Sequence, residues 1–207
     1  MEKKRHRKDF YAKKAKREGY KSRAAFKLQQ IHQKFRLFRK GQIVVDLCGA
    51  PGGWSQIAKL EVGKSGKVIL VDLQKLKLDG IHSIKGDITS QTTLEAIQEL
   101  LQEWQGLTTI EHLKVDIILA DCSPNVSGAW QTDHARQIWL SENALKLALA
   151  LLSNQGIFVC KVFQGDLLND FISSLRQSFL SVRAWKPLAS RKESSELYLI
   201  SKTLKIR

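Results

Sequence analysis

Ten residues, Asp46-Leu47-Cys48-Gly49-Ala50-Pro51-Gly52-Gly53-Trp54-Ser55, carry the strongest chemical signal in the chain. Three glycines and an alanine after an apolar run leave a backbone that a ligand can approach closely, and a helix opening there has free amides. Asp72 stands 20 residues beyond Gly52 at the end of KVILVD, where a carboxylate accepts hydrogen bonds from ribose hydroxyls. Asp87, after Gly86, follows a third run and is placed to face an adenine amino group. A glycine turn alone occurs in many tight turns without a ligand. Turn and two acidic strand-end residues together point to an adenosine-containing cofactor. G-x-G-x-x-G is missing, which argues against a dinucleotide, and so is G-x-x-x-x-G-K-[ST], which argues against a P-loop nucleotide. S-adenosylmethionine remains, because its cationic sulfonium needs no phosphate cradle.

Three charged residues interrupt or border apolar runs further on. Asp121 follows VDIILA and opens an Asp-Cys-Ser-Pro-Asn loop. Lys161 lies inside IFVCKVF, where a lysine is out of place unless it sits near a strand end with a partner. Glu196 begins ELYLIS, the last apolar run. At the ends of neighbouring buried strands, these three would converge on one cleft beside the glycine turn. Taken alone, a Lys161 that snorkels at a sheet edge and a Glu196 in a surface ion pair account for the same positions. The five histidines are scattered without ligand spacing, so no metal is expected.

The elements that must position these groups are legible as a pattern. Residues 22–38 predict an amphipathic helix with Ala24, Leu28, Ile31 and Phe35 on one face. From residue 42 onward, short apolar runs alternate with longer helical stretches. Strands are expected over 43–47, 67–72, 82–85, 115–120 and 157–163, with two closing strands over 182–185 and 196–201. Helices are expected over 54–60, 93–104, 133–152 and 167–179, the third stopped by Asn154-Gln155-Gly156. Continuous apolar strands separated by helices predict a parallel-rich sheet covered on both faces. The expected fold is α/β, doubly wound and Rossmann-like, over residues 41–207, preceded by a basic N-terminal helical arm over 1–40.

Composition narrows the partner. The 207 residues are 43% hydrophobic and 26% charged, which describes a folded chain rather than a disordered one. There are 34 Lys+Arg against 20 Asp+Glu, a formal charge of +14. Residues 1–40 hold 16 of the basic and three of the acidic groups, so nearly all the excess lies in the arm. Such a run, interleaved with aromatics, points to nucleic acid. The first residues have no apolar core of a secretory signal, and the longest apolar stretch, 144–152, is far short of the roughly 20 residues of a bilayer span. A soluble, cytoplasmic protein is expected. Cys48, Cys122 and Cys160 show no C-x-x-C and no neighbourly pairing, so they are expected to be buried packing residues without a disulfide framework.

The sequence resembles the FtsJ/RrmJ (RlmE-type) family of RNA ribose 2′-O-methyltransferases from about Gly19 to about Ser201. Five segments carry the likeness in order: Ser22-Arg23-Ala24-Ala25-Phe26-Lys27-Leu28, the turn from Asp46 to Ser55, Asp121-Cys122-Ser123-Pro124-Asn125-Val126-Ser127-Gly128, Lys161-Val162-Phe163-Gln164-Gly165, and Ser194-Ser195-Glu196-Leu197-Tyr198. The resemblance implies a catalytic tetrad of Lys27, Asp121, Lys161 and Glu196, with S-adenosyl-L-methionine as methyl donor. It implies that Gly52 and the Trp54 backbone line the methionine moiety. Asp72 would take the ribose hydroxyls, Asp87 the adenine edge and Asp121 the amino end. Plain core packing is the competing reading of Trp54. A ribose 2′-hydroxyl is a poor nucleophile, so the implied task is in-line alignment together with help for the departing proton. Lys161 would accept that proton or orient the lone pair, Asp121 would hold Lys161, and Glu196 would complete the ion network.

The forms Ser-Pro-Asn-Val-Ser-Gly and Lys-Val-Phe-Gln-Gly are more similar to the large-subunit rRNA uridine enzymes than to the tRNA anticodon-loop ones. Gly49 stands where an alanine is commoner, which is expected to loosen the turn. No separate RNA-binding domain is visible, so substrate choice is expected to rest on the arm or on an assembled ribosomal particle, with the chain acting as a monomer. Three rival readings are a tRNA 2′-O-methyltransferase, a basic RNA-binding module without catalysis, and a nicotinamide-dependent oxidoreductase. The module would need a damaged tetrad, and the oxidoreductase would need the missing G-x-G-x-x-G.

Overall fold

The computed structural model describes residues 2–107, 109, 113–191 and 193–205. Seven strands form one sheet in the order β3-β2-β1-β4-β5-β7-β6. They are β1 (Ile43–Leu47), β2 (Lys67–Asp72), β3 (His82–Lys85), β4 (Val115–Ala120), β5 (Leu152–Phe163), β6 (Phe179–Trp185) and β7 (Glu196–Leu204). The β1–β2, β2–β3, β1–β4 and β4–β5 pairs are parallel, and β7 inserts antiparallel between β5 and β6. The chain starts at β1, builds outward to β3 and then returns to β4, so the topology switches between β1 and β4. Ligands bind beyond the carboxyl ends of strands at such a point.

The central strands are apolar on both faces because helices cover both. On one face Val45, Leu47, Ile69, Val71 and Ile118 meet α4 (Gln91–Gln105), α5 (Trp130–Leu151) and α6 (Leu168–Ser178). On the other, Val44, Val68, Ile117, Leu119 and Val159 meet α2 (Ala25–Phe35) and α3 (Gly53–Val62). Ala25, Leu28 and Ile31 of α2 are completely buried, so this part of the basic segment contributes to the core. Ahead of it, α1 (Glu2–Arg17) lays Ala15 and Tyr11 against Phe26.

Several expected boundaries differ, most by one to three residues, and three of the differences have a clear local cause. The helix expected over 22–38 begins at Ala25 and ends at Phe35, because Arg36 adopts the left-handed region with φ 52° and its amide closes on the His32 carbonyl. Asn154-Gln155-Gly156 does not form a stop loop. The helix ends at Leu151 as Leu152 turns extended, and the next residues continue as β5, absorbed by a register shift between Val115↔Leu152 and Ile117↔Ile157. Phe179 opens β6 rather than closing α6, and pairs with Leu204.

Candidate active site

Strand parity decides which side chains meet. Alternate residues of a strand face opposite sides. On β5, Phe158 and Cys160 point to the α4–α6 side, whereas Ile157 and Val159 point to the α2–α3 side, and Lys161 follows them. The antiparallel register sets Lys161 opposite Tyr198 and Phe163 opposite Glu196, so all four share that face. Lys27, from the second helix, is laid over the same face.

The expected tetrad is assembled there as two linked ion pairs. Lys27 Nζ lies 2.7 Å from Glu196 Oε2. Lys161 Nζ lies 3.3 Å from Asp121 Oδ1 and donates to the Asp121 carbonyl at 3.0 Å. Tyr198 joins the pairs: its hydroxyl donates to Asp121 Oδ1 at 2.9 Å, and its ring sits 5.7 Å from Lys27 Nζ. Both lysines are buried, each less than a tenth exposed, so their carboxylate partners are what make the burial tolerable. Burial raises the Glu196 carboxyl, but the charge and hydrogen bond of Lys27, with Lys161 and Arg23 behind it, hold it below its ordinary value. Burial, followed by the Asp121 and Glu196 charges, pushes the Tyr198 phenol well above its ordinary value, so it remains a donor.

The sign of the Glu196 shift has a measurable consequence. A carboxylate held low in the folded state adds stability above its unfolded value near 4.3, lost as pH falls through the lower folded value. Glu196→Gln should therefore cost about 1–2 kcal/mol at pH 7, allowing for partial exposure of the pair. The difference should narrow as pH falls below about 4.3 and disappear once the folded carboxyl is itself protonated, as read from urea midpoints across that range.

Lys161 is also anchored through its backbone. Its carbonyl projects past the end of β4, where no strand continues to satisfy it. Gln137 Nε2 donates to it at 2.9 Å and Ser141 Oγ at 3.2 Å, both from buried positions on α5. Sequence reasoning missed these two residues and Tyr198. Tyr198 was within reach, since it shares the parity of Glu196 in ELYLIS.

The glycine turn lies next to this cluster. Gly52 has φ 105° and caps α3 without any side-chain bond. A Cβ on Gly52 would collide with Leu78, and one on Gly53 with Ser22. Trp54 is buried, packs at a 36° tilt against Tyr198 with ring centroids 5.6 Å apart, and donates to the Ala24 carbonyl at 2.9 Å. Its side chain therefore packs the glycine turn onto the tetrad, while its backbone opens the helix. Asp72 accepts from Ala50 N and Gln74 N, each at 3.0 Å, and so braces the turn. Asp87 is exposed after β3 and accepts from Thr89 N and Thr89 Oγ1.

Residues 20–204 match the family model described as FtsJ-like methyltransferase. The chain belongs to the FtsJ-like methyltransferase family. It is 47% identical over 201 residues to "Ribosomal RNA large subunit methyltransferase E" of Methanothrix thermoacetophila, covering 97% of this chain and 74% of that protein. Identity to the protein of the same name in Methanocaldococcus jannaschii is 45% over 199 residues, covering 95% and 78%. A Plasmodium falciparum crystal structure described as a ribosomal RNA methyltransferase superposes with a TM-score of 0.78 at 26% identity, covering 91% of this chain and all of that one.

Within this FtsJ-like frame two expectations are corrected. Cys48 and Cys122 are not separate packing residues; they form a disulfide with Cα atoms 5.0 Å apart. Each stands just past the carboxyl end of its strand, and β1 and β4 are neighbours, so the fold brings together thiols 74 residues apart in sequence. The cysteine-based argument for a reducing compartment falls with this bridge. Cys160 remains a buried free thiol, and burial pushes it up in pKa. Gly49 does not loosen the turn either. A Cβ there would stand 2.6 Å from Leu70 Cγ and 3.0 Å from Asp46 Oδ2, so the space an alanine methyl would take is filled.

Asp46 tests whether the turn suits a cationic ligand. It is fully buried; its Oδ2 accepts from Ser55 Oγ at 2.5 Å, while Oδ1 has no hydrogen-bond partner among the described residues. Burial pushes its carboxyl up to about 7, and the Asp121 and Asp72 charges push in the same direction against the pull of Ser55. Three carboxylates therefore crowd one turn, and a ligand carrying an ammonium and a sulfonium relieves their repulsion. The residues fit S-adenosylmethionine. Such a cation favours the ionised Asp46 and lowers its pKa, so binding should release up to about half a proton at pH 7. Calorimetry of S-adenosylmethionine binding without RNA, in two buffers of different ionisation enthalpy, would read this release.

Proposed function

We propose that this chain transfers a methyl group from S-adenosylmethionine to a ribose 2′-hydroxyl, that of a uridine in large-subunit (23S-type) rRNA. The single observation that carries the proposal is the meeting of Lys27, Asp121, Lys161 and Glu196 on one sheet face beside the glycine turn. When bound, S-adenosylmethionine supplies a methyl already activated by the sulfonium charge. Strand order parallels the order of its parts: Asp87 after β3 for the adenine edge, Asp72 after β2 for the ribose, Gly52 and the Trp54 backbone after β1 for the methionine, and Asp121 after β4 for the amino end. No metal has a role in this scheme.

The acceptor oxygen is placed by Lys161, whose Nζ is the buried nitrogen nearest the Asp121 end of this row. Lys161 Nζ would orient the hydroxyl and take its proton as the new oxygen–methyl bond replaces the methyl–sulfur bond of the donor, which would leave as a neutral thioether. Asp121 and the Tyr198 hydroxyl fix the Lys161 head group, Gln137 and Ser141 fix its backbone, and Glu196 neutralises Lys27. Preorganisation of this kind spends binding energy on alignment rather than on bond chemistry.

Residues 1–40 serve as the RNA-contacting segment and 41–207 as the methyltransferase domain, the chain working as a monomer in the cytoplasm on a ribosomal particle. Phosphate contacts of the basic segment make affinity fall steeply with salt. The relatives named above, together with the Lys161 site, favour rRNA over tRNA and over a binding module without catalysis. The test is methyl transfer from labelled cofactor to ribosomal subunits and, separately, to total tRNA, followed by mapping of the modified ribose. Label in the large subunit rRNA supports the proposal, and label in tRNA alone overturns its substrate.

A further inference from the structure

An aromatic ledge borders the tetrad and is used by nothing described so far. Trp130 opens α5 and is 49% exposed, an unusual setting for so large an apolar ring. Its ring lies nearly parallel to those of His134 and Phe163, at 10° and 24°, with both centroids 6.0 Å away. The ledge is built firmly from below. The buried Asp133 carboxylate accepts from Ser127 N and Oγ at 2.8 Å and from Gly128 N at 3.1 Å, tying down the loop that leads into Trp130. His134 Nε2 accepts from Leu167 N at 3.2 Å, and its ring fills the space that a Cβ on Gly165 would need.

Position relative to the catalytic lysine gives the ledge its meaning. Phe163 is two residues beyond Lys161 on β5 and shares its face, which separates their Cα atoms by about 7 Å along the strand. A nucleobase hangs directly from the ribose whose 2′-oxygen must reach Lys161, so the base of that nucleotide falls within reach of this ledge. RNA bases drawn out of a helix are commonly held on exposed aromatic faces.

We propose that Trp130, backed by Phe163 and His134, is a stacking subsite for an unstacked nucleobase, that of the nucleotide being methylated. The proposal rests on the RNA 2′-O-methyltransferase reading above. Stacking on a ring is tolerant of base identity, so the subsite positions the nucleotide and does not select uridine. It also couples recognition to geometry, because the loop that presents Trp130 starts at Asp121, the partner of Lys161.

The test uses Trp130→Ala and Trp130→Phe. The alanine variant should raise KM for the RNA at least about tenfold, the loss expected for one base–aromatic stack. The phenylalanine variant should recover most of that loss, and both should bind S-adenosylhomocysteine and melt as the wild type does. Independently of catalysis, single-stranded oligouridylate should quench indole fluorescence more in wild type than in Trp130→Phe, and an abasic ribose-phosphate chain of equal length should not. This arm decides the subsite even when the wild type transfers no methyl, the result that would instead sink the functional reading. RNA KM within twofold of wild type in Trp130→Ala, a phenylalanine variant no better than alanine, or equal quenching by the abasic chain overturns the proposal.

Discussion

Replacing Lys161 with alanine should lower the rate of methyl transfer by roughly 10²- to 10⁴-fold, the range set by removing a positioned proton acceptor. RNA affinity should stay within a few-fold and S-adenosylhomocysteine affinity should be unchanged, because in the proposed scheme Lys161 serves the reacting oxygen and not the turn. The fold should survive. Asp121 keeps its bond from Tyr198 and is partly exposed, so it is left neither buried alone nor without a donor. Lys161→Arg should not rescue the rate: a guanidinium keeps the charge and the donors but cannot take up a proton at working pH. Single-turnover kinetics with saturating RNA and cofactor separate this loss from any change in binding. A Lys161→Ala variant as fast as the wild type would remove the lysine from the reaction.

The second large effect concerns the Cys48–Cys122 bridge. Cross-linking residues 74 apart in sequence restricts the unfolded chain, which by the chain-entropy argument stabilises the fold by about 4 kcal/mol. Reduction, or the Cys48→Ser, Cys122→Ser double variant, should therefore lower the melting temperature by about 10 °C for a chain of this size. Reductant should have no effect on the double variant. Thiol labelling supplies the control, since native protein without reductant should offer no reactive thiol: Cys160 is buried. A melting temperature indifferent to reductant, with Cys48 and Cys122 both open to labelling, would show two free thiols instead. The bridge also ties the loop of Asp121 to the glycine turn, so part of the cost should fall on cofactor affinity.

Different parts of this molecule were legible to different degrees, for physical reasons. The strands at 43–47, 67–72 and 115–120 match their expected limits because each is a short apolar run covered on both faces of the sheet. The Asn154-Gln155-Gly156 turn signal misled, since a sheet can absorb extra residues by a shift in register where β5 outruns β4. Asp121, Lys161 and Glu196 stood out as charges at the ends of apolar strands. Lys27 had no such mark: its partner Glu196 is 169 residues away, and only the family likeness singled it out. Gln137 and Ser141 were invisible for another reason, as the group they hold is a backbone carbonyl, which leaves no trace in side-chain pattern. The disulfide was missed because pairing was judged by distance along the chain rather than by neighbourhood at the ends of adjacent strands.

The most direct test is to methylate large-subunit rRNA with labelled donor and hydrolyse it in alkali. A 2′-O-methyl group removes the hydroxyl that cleaves the next phosphodiester bond, so label from the wild type should appear in an alkali-resistant dinucleotide, with at most about a hundredth as much from Lys161→Ala over the same initial-rate interval. Label released in mononucleotides would place the methyl on a base, and the arrangement of Lys161 and Asp121 would then have been assigned to the wrong reaction.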